Sequence, residues 1–590
     1  MKKQTRTFLG SIVAVIAILV IVLAIYIADL TAFPGTVRET EAMRQVKTDG
    51  VKSTFHQGVI YRYPGIAPML EVSGDYYEMG VQYGVLLRPE IINRIGAMEK
   101  IYQWDAVETG VSYPRLIAEI KLQARQIASR LPQKYLDELR GVADGSGVPY
   151  DTVLCASLWY DVLMAKHCTG VLMRGAGDTL IHGRNNDTGL FGGEEAAKMV
   201  VVRYNAPGVN QITHMDWVLY MGVETGYNNK GLGFSEETLS VKEPNPNGAS
   251  LPYLIRTVLE ECSGLDCIYP WLDKYPTIAA CGSVWSDLRA GRGAVVERIP
   301  TALAKNELKG NILWNFNRIY DPKLAVQQKA VYSIVGANTD REKIAALYPN
   351  KSAYTVEDAV NFLRATSGTG GLDYSWCGTK TSVCNWGTSQ MVVFDTNTDG
   401  FYMALGPYFA ARQEVYHFFT DFTRQPVLFM PAQPLDPLVE KAAQIENRLI
   451  SPEDKLGEYI KLAEQYPNDA NIQFIVAQRA FKLKQGLFAT YAPKSYAMKP
   501  ALPEYALYAG MASYYKKNVD QAVSILNNID PSQLTPEQEL YRLSVLEKVF
   551  VGREVEKADY YKKQKQAIID ATGVQAYYDS NIKPLVEALK

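Results

Sequence analysis

The chain has 590 residues, of which 47% are hydrophobic and 21% are charged, and its formal net charge is -2. A chain of this length exceeds one ordinary domain, and this composition is typical of a globular protein, so we expect two folded parts. The nearly neutral charge and the lack of a basic cluster argue against nucleic acid as a partner.

An uncharged apolar run from Phe8 to Ala28 follows the basic residues Lys2, Lys3 and Arg6. At ~1.5 Å per residue this run is long enough to cross a hydrocarbon core of ~30 Å, and no small-residue cleavage site follows it. The sequence therefore predicts an uncleaved signal anchor, a transmembrane helix over residues 1–28, with a cleaved signal peptide as the alternative. Both place the body of the protein outside the cytoplasm, at a cell surface, in a periplasm or in a lumen.

A polar lead segment over residues 29–64 precedes the first folded part. Residues Met69–Gly74 are predicted to form a strand and a turn, and the apolar spacing from Tyr76 to Ile92 predicts a helix. Residues 65–167 carry too much helical, core-like pattern to be a discarded linker. We expect them to remain bound as a subunit if the chain is cut behind them.

The most informative stretch is HCTG at residues 167–170, followed by HGRNND at residues 182–187. The five histidines of the chain show no zinc-ligand spacing, and the sequence contains no GxSxG elbow, Walker loop or GxGxxG at a strand-to-helix junction. Cys168 is the candidate nucleophile, and a thiol needs a base beside it. Cleavage of the preceding peptide bond would supply one, because a free α-amino group has a pKa near ~8.

Arg184 lies sixteen residues after Cys168, and Asp187 follows three residues later. With these offsets the stretch resembles the N-terminal-nucleophile cysteine hydrolases, among them acid ceramidase, N-acylethanolamine acid amidase, choloylglycine (bile-salt) hydrolase and the isopenicillin-N acyltransferase family. Similar motifs begin nearly 100 residues earlier, within Leu70–Leu87 and Leu131–Leu154. The long leader resembles the internally cleaved members rather than the bile-salt hydrolases.

The resemblance implies a role for each residue of this stretch. Autocleavage would separate His167 from Cys168, and the Cys168 thiol would then attack an amide carbonyl to form a thioester that water resolves. Arg184 would favour the thiolate, because its guanidinium keeps its charge. Asp187 would accept a hydrogen bond from the α-ammonium group and orient it.

An oxyanion requires donors placed where its charge develops. Asn338 matches the asparagine of the family's Thr-Asn-x-Asp-like segment and is our first candidate, with Asn315 and Asn317 as rivals. Bile-salt hydrolases carry an asparagine-rich segment after a Lys-Gly-Leu turn. Here residues 230–232 are followed by GFSEET at 233–238, so the resemblance assigns no residue there.

The sequence predicts many strands separated by glycines from Val171 to Leu405, with helices only at Pro252–Cys262 and Val356–Ala365. This pattern predicts two packed sheets with helices outside. The resemblance implies an α+β fold, the Ntn-hydrolase four-layer αββα sandwich, with a catalytic core over residues 168–430. Of seven cysteines, the pairs Cys262 with Cys267 and Cys377 with Cys384 lie close enough in sequence to suggest disulfides, although connectivity stays open.

Helix-forming residues dominate residues 431–590, where Pro467, Pro500 and Pro531 recur at intervals of 33 and 31. The spacing predicts a degenerate, all-α, TPR-like region. Two interpretations remain open. The region either offers a groove to a protein partner or forms a helical bundle that caps the hydrolase.

Together these observations predict a membrane-anchored, self-processing cysteine hydrolase that cleaves a linear, non-peptide amide bond of a small N-acyl compound. An acyltransferase to an amine acceptor is the nearest alternative. A catalytically silent surface protein with a partner-binding helical tail is the second. The chemistry requires neither a metal nor an organic cofactor, because protein groups activate the carbonyl.

Overall fold

The structure is a computed structural model that describes residues 27–159, 161, 167–177, 179–187, 199–329, 337–366, 382–396 and 399–589, without the side chains of residues 167 and 337–340. The described chain forms two compact units. The first comprises Met1–Met164, Lys198–Val223 and Ala249–Glu261, and the second comprises Ala165–Ala197, Glu224–Gly248 and Cys262–Lys590.

Within these ranges the strands are β1 (Lys47–Asp49), β2 (Lys52–Phe55), β3 (Gly58–Tyr61), β4 (Met69–Ser73), β5 (His167–Arg174), β6 (Leu180–Asp187), β7 (Met199–Asn205), β8 (Ile212–Trp217), β9 (Thr225–Asn228), β10 (Leu232–Leu239), β11 (Ala280–Asp287), β12 (Arg292–Ile299), β13 (Ala302–Glu307), β14 (Ile312–Asn315), β15 (Thr388–Asp395), β16 (Gly400–Leu405), β17 (Val415–Phe419) and β18 (Val427–Met430).

The α-helices are α1 (Tyr76–Leu86), α2 (Arg88–Thr109), α3 (Tyr113–Ala128), α4 (Gln133–Ser146), α5 (Tyr150–Ser157), α6 (Leu251–Glu261), α7 (Leu265–Lys274), α8 (Pro322–Ala325), α9 (Ala337–Ala346), α10 (Val356–Leu363), α11 (Pro437–Glu446), α12 (Pro452–Gln465), α13 (Ala470–Lys482), α14 (Phe488–Met498), α15 (Pro503–Tyr515), α16 (Val519–Asn527), α17 (Pro536–Phe550), α18 (Val555–Thr572), α19 (Gln575–Tyr577) and α20 (Lys583–Glu587).

The first unit contains strands in the order β1-β2-β3-β4-β7-β8, antiparallel except for the parallel pair of β4 and β7. Helices α1 and α4 pack with their backbones in close approach. A Cβ atom on Gly80 would lie 2.1 Å from the carbonyl oxygen of Glu138, and one on Gly84 would lie 2.5 Å from a carbonyl of α4. Gly141 and Gly145 are equally crowded by α1. The packing of these two helices therefore explains the glycines of the motifs within Leu70–Leu87 and Leu131–Leu154.

Residues from both sides of Cys168 build this first unit, and buried charges connect them. The guanidinium of Arg256 donates to both carboxylate oxygens of Glu138, at 2.6 and 2.9 Å. Glu260 accepts a hydrogen bond of 2.6 Å from Lys134. Removing one partner of such a buried pair typically costs about 3–5 kcal/mol, so these contacts bind the segments before and after Cys168 firmly.

The second unit contains two antiparallel sets of strands, β9-β10-β11-β12-β13 and β14-β5-β6-β15-β16-β17-β18. Strand β5 packs face to face against β10 and β11. Helix α7 contacts β11, β12 and β13, and helix α10 contacts β5, β6 and β15. The prediction of large sheets combined with helices is confirmed, and the four-layer arrangement stays a prediction.

Helices α11–α20 share one apolar cluster with the sheet that contains β5 and β6. The cluster includes sheet residues such as Val171, Ile181 and Met391 together with Leu507 and Leu540 of the helical region. The two contributions form one continuous core within the second unit, as a capping bundle would. The resemblance to tetratricopeptide repeats stays a prediction.

One prediction requires correction. In the part of the chain that the structure describes, which begins at residue 27, no helix is both long and apolar enough to cross a membrane. The expected transmembrane signal anchor over residues 1–28 is wrong on this finding, and residues 1–26 lie outside the described residues.

Cys262 and Cys267 form a disulfide, whereas Cys377 lies outside the described residues.

Candidate active site

Cys168 is the second residue of β5 and is fully buried. Its backbone nitrogen donates to Oδ1 of Asn317 at 2.7 Å, and its carbonyl oxygen accepts from Nη1 of Arg341 at 2.7 Å. Nη2 of the same arginine donates to Oδ1 of Asn317 at 2.9 Å. Both peptide groups beside the candidate nucleophile are therefore fixed by two buried side chains.

Arg184 stands on β6 opposite Gly170, and Asn186 stands opposite Cys168. Because alternate residues of a strand share a face, Arg184 and Asn186 point to the same side as the thiol. Nη2 of Arg184 donates to Sγ of Cys168 at 3.4 Å and to the carbonyl of Glu236 at 2.7 Å. The guanidinium of Arg184 therefore lies beside the sulfur of the candidate nucleophile, and its catalytic role stays a prediction.

Three acidic side chains lie around this arginine. Those of Glu224 and Glu236 each lie 3.7 Å from Nη2 of Arg184. Glu237 projects toward β5, where a Cβ atom on Gly170 would lie 2.4 Å from its Oε1. The glycine after Cys168-Thr169 is therefore required by the close approach of this acid.

Asp187 is fully buried at the end of β6. Its carboxylate accepts from Nδ2 of Asn385 at 2.8 Å and from Oγ1 of Thr388 at 2.6 Å, and it lies 3.6 Å from Nη1 of Arg341. These contacts fix the carboxylate within the same buried network that holds the peptide groups of Cys168.

His182, two residues before Arg184, joins the two sets of strands. Its Nδ1 lies 3.0 Å from Oγ of Ser286 and its Nε2 lies 2.9 Å from Oγ of Ser235. Burial lowers the pKa of His182 to about 3, and the charge of Arg184 adds to this effect. The neutral imidazole therefore serves as a bridge, and the thiol needs a base from elsewhere.

Burial raises the pKa of the Cys168 thiol to about 12. The charge of Arg184 lowers this pKa, and the charges of Glu236 and Asp187 offset part of that lowering. The thiol is therefore protonated at neutral pH while His167 precedes it. We expect uncleaved Cys168 to resist alkylation by iodoacetamide and cleaved Cys168 to react at least about tenfold faster, because the thiolate is the reactive form.

Trypsin allows both forms to be measured in one sample. It cuts after Lys166 and Arg174, so uncleaved chains give peptide 167–174 and processed chains give peptide 168–174. Cys281, which is also buried, serves as an internal reference because the cut does not touch it. Equal labelling of the two peptides would contradict the expectation.

Burial also raises the pKa of Glu237 well above its usual range, since the favourable charge of Arg184 does not offset the loss of solvation. Stabilisation by the neutral acid is complete below the pKa of the unfolded chain and is lost as pH rises toward the folded pKa. Glu237 makes the free energy of unfolding fall as pH rises. We expect Glu237→Gln to reduce the slope of this fall, by up to about 1.4 kcal/mol per pH unit. Urea unfolding between pH 5 and 8 measures this, with exposed Glu357→Gln as the control. Parallel curves for wild type and Glu237→Gln would be the opposing result.

The structure separates the three asparagine candidates. Asn317 contacts Cys168 directly, as described above. Asn315 pairs in register with Gly170 and is buried against Gly282, whose ideal Cβ would lie 2.5 Å from its Oδ1. The backbone of Asn338 lies in α9, but its side chain falls outside the described residues, as does that of His167.

Several residues at the site were not predicted from the sequence, among them Arg341, Glu224, Glu236 and Glu237. Arg341 lies in a helix with no recognisable motif, three residues after Asn338, and Glu237 comes from a strand of the facing sheet. The presence of GFSEET in place of the asparagine-rich segment was the one available signal for Glu237. Among the residues that the structure describes, no cluster of three or more histidine, cysteine or acidic side chains is arranged to hold a metal.

Residues 173–333 match the family described as acyl-coenzyme A:6-aminopenicillanic acid acyl-transferase. The chain is 23% identical to acid ceramidase from Mus musculus over 219 residues, covering 32% of this chain and 54% of that protein. It is 25% identical to N-acylethanolamine-hydrolyzing acid amidase from Cavia porcellus over 225 residues, covering 36% and 58%.

A solved structure, the Caenorhabditis elegans ortholog of N-acylethanolamine-hydrolyzing acid amidase, aligns with a TM-score of 0.28 and 16% identity, covering 39% of this chain and 94% of that one. The comparisons confirm the resemblance to the N-terminal-nucleophile cysteine hydrolases, and the curated relatives are named as enzymes of the predicted kind. The chain spans little more than half the length of the curated relatives that it matches.

Proposed function

We propose that this chain is a self-processing cysteine amidase that cleaves the linear amide bond of a small N-acyl compound through a thioester. The observation that carries this proposal is the buried contact of 3.4 Å between the guanidinium of Arg184 and the sulfur of Cys168. That contact joins a candidate nucleophile to a permanent positive charge, at the offset that the resemblance implies. The fold we propose for this core is the four-layer αββα sandwich.

Self-cleavage begins when Sγ of Cys168 attacks the carbonyl carbon of His167. The carbon–nitrogen bond breaks, the thiol proton passes to the departing amine, and the acyl group of residues 1–167 rests on sulfur as a thioester until water hydrolyses it. Asn317 accepts from this nitrogen at 2.7 Å before the cut, which supports its role in holding the new α-amino group. Arg341 holds the carbonyl on the other side of the residue.

Turnover of an external amide repeats these steps with the α-amine of Cys168 as base. The amine takes the thiol proton, sulfur attacks the substrate carbonyl, and the amine returns a proton to the leaving nitrogen. Arg184 stabilises the thiolate, while Asp187 acts on the α-ammonium as the resemblance implies. Asn338 remains our candidate donor to the oxyanion.

Contacts within the first unit indicate that residues 1–167 stay bound after the cut. Its strands β4 and β7 and the pair formed by Glu138 with Arg256 come from opposite sides of the cleavage point. We therefore expect both fragments to co-elute in size-exclusion chromatography and to separate only in denaturant. Dissociation of the fragments in native buffer would contradict this expectation.

The disulfide between Cys262 and Cys267 supports a location outside the cytoplasm, where disulfides persist. The names of the relatives indicate which amides to test. A panel should include N-acylethanolamines, ceramides and N-acyl derivatives of 6-aminopenicillanic acid, each with wild type and Cys168→Ala. Release of the acid by wild type alone supports the proposal, and the lack of release from every member opposes it.

An acyltransferase remains the second candidate, because the matching family model describes one. The partition of the thioester between water and an amine distinguishes the two activities. Addition of amine acceptors at increasing concentration would raise the yield of new amide at the expense of free acid in a transferase. In a hydrolase the free acid would remain the main product.

A further inference from the structure

We propose that the helical region formed by α11–α20 holds α9 in place and thereby sets the position of Arg341 at Cys168. Lys343 acts as the positioning residue in this arrangement. The inference deepens the proposed function and rests on it. It assigns the helical region to the support of the active site rather than to an independent partner.

Helix α9 faces the site with one residue and the helical region with another. Arg341, on this helix, donates to the carbonyl of Cys168 at 2.7 Å and to Asn317 at 2.9 Å. Two residues later, Nζ of Lys343 lies 3.4 Å from the carbonyl oxygens of both Gln533 and Leu534, immediately before α17. A single short helix therefore touches both the nucleophile and the helical region.

The remaining contacts of α9 show how it is anchored. Glu342 accepts from the hydroxyl of Tyr320 at 2.8 Å and from Arg318 at 3.1 Å, within the segment that follows Asn317. Ile344 and Ala345 belong to the apolar cluster that the helical region shares with the sheet. Glu342 thus connects α9 to the segment that follows Asn317, while Ile344 and Ala345 pack against the helical region.

These contacts matter because α9 has ten residues, and a helix of that length is marginal without tertiary support. Arg341 is a fully buried cation, so it cannot relax toward solvent if the helix shifts. A misplacement of about 1 Å at a reacting centre costs up to roughly a hundredfold in rate. The position of α9 therefore governs the carbonyl contact at Cys168.

Lys343 can be substituted without crowding. It borders a cavity of about 720 Å³ whose other walls come from the helical region, including Leu534, Arg542 and Tyr561. Methionine in place of lysine keeps an unbranched side chain as far as Cε and removes the donor. Lys548 provides a matched control, since it is also partly buried and donates to the carbonyl of Val586 at 3.4 Å, away from α9.

The test compares Lys343→Met, Lys343→Arg and Lys548→Met in the full chain. We expect Lys343→Met to slow self-cleavage and to lower kcat by roughly tenfold, with KM and Tm close to those of Lys548→Met. Lys343→Arg should restore most of the rate. In a double-mutant cycle, the effect of Lys343→Met should largely disappear in an Arg341→Lys background.

Amide hydrogen exchange supplies a readout that does not need activity. We expect Lys343→Met to accelerate exchange in α9 above the level seen with Lys548→Met. Unchanged exchange in α9, or equal rates of self-cleavage in the two variants, would overturn the inference. If wild type itself fails to cleave while α9 still responds to Lys343→Met, the proposed function fails and the structural coupling stands.

Discussion

Replacing Arg184 with methionine is expected to abolish self-cleavage and to lower the free energy of unfolding by about 3–5 kcal/mol. The change removes the cation that contacts the Cys168 thiol and leaves Glu224 and Glu236 buried beside an apolar side chain. The thiol then loses the positive charge that most strongly lowers its pKa. Intact-mass analysis and urea unfolding measure the two effects.

A matched control separates chemistry from stability. Arg298, on β12, is also a buried arginine of the second unit, but it donates to the backbone carbonyls of Leu272 in α7 and of Tyr275 at the end of that helix. Arg298→Met should destabilise the fold while the folded fraction still cleaves itself. Self-cleavage of Arg184→Met at the wild-type rate would refute the role proposed for Arg184.

Replacing Asn317 with alanine should slow self-cleavage by roughly a hundredfold. Its Oδ1 accepts from the nitrogen of the bond to be broken and from Arg341, while its Nδ2 donates to the carbonyl of Thr238 at 2.9 Å. The substitution therefore releases the scissile nitrogen and leaves the buried guanidinium with fewer acceptors. The rate of fragment appearance on refolding measures the effect.

The same experiment on Asn315→Ala and Asn338→Ala ranks the three asparagines. A smaller effect for Asn315 is expected because it packs against Gly282 rather than against the peptide groups of Cys168. If Asn338→Ala blocks turnover of substrate but spares self-cleavage, its proposed role at the oxyanion is supported. If Asn317→Ala cleaves as fast as wild type, the contact with the Cys168 nitrogen has no catalytic consequence.

The local sequence was sufficient where the chemistry lies on adjacent strands. The offsets in the sequence singled out Cys168, Arg184 and Asp187, which the structure places on β5 and β6. The register of these strands adds that Arg184 and Asn186 share a face with Cys168. The motifs before Cys168 were recognisable too, because their glycines are fixed by the contact of two helices.

The rest of the site comes from segments far apart in sequence, and local sequence patterns do not predict which of these segments contact each other. Glu237 reaches Gly170 across two sheets, and Arg341 reaches the carbonyl of Cys168 from 173 residues away. Three asparagines had suitable chemistry, and only the register of β14 with β5 and the turn after it distinguish Asn315 from Asn317. Hydropathy likewise predicted a transmembrane helix that the described residues do not contain.

The most direct test of the central claim is the intact mass of purified wild-type protein beside Cys168→Ala, with N-terminal sequencing of each product. We expect wild type to yield one fragment that ends at His167 and one that begins at Cys168, while the variant stays whole. Wild-type protein that remains a single chain of 590 residues at neutral and mildly acidic pH would contradict it.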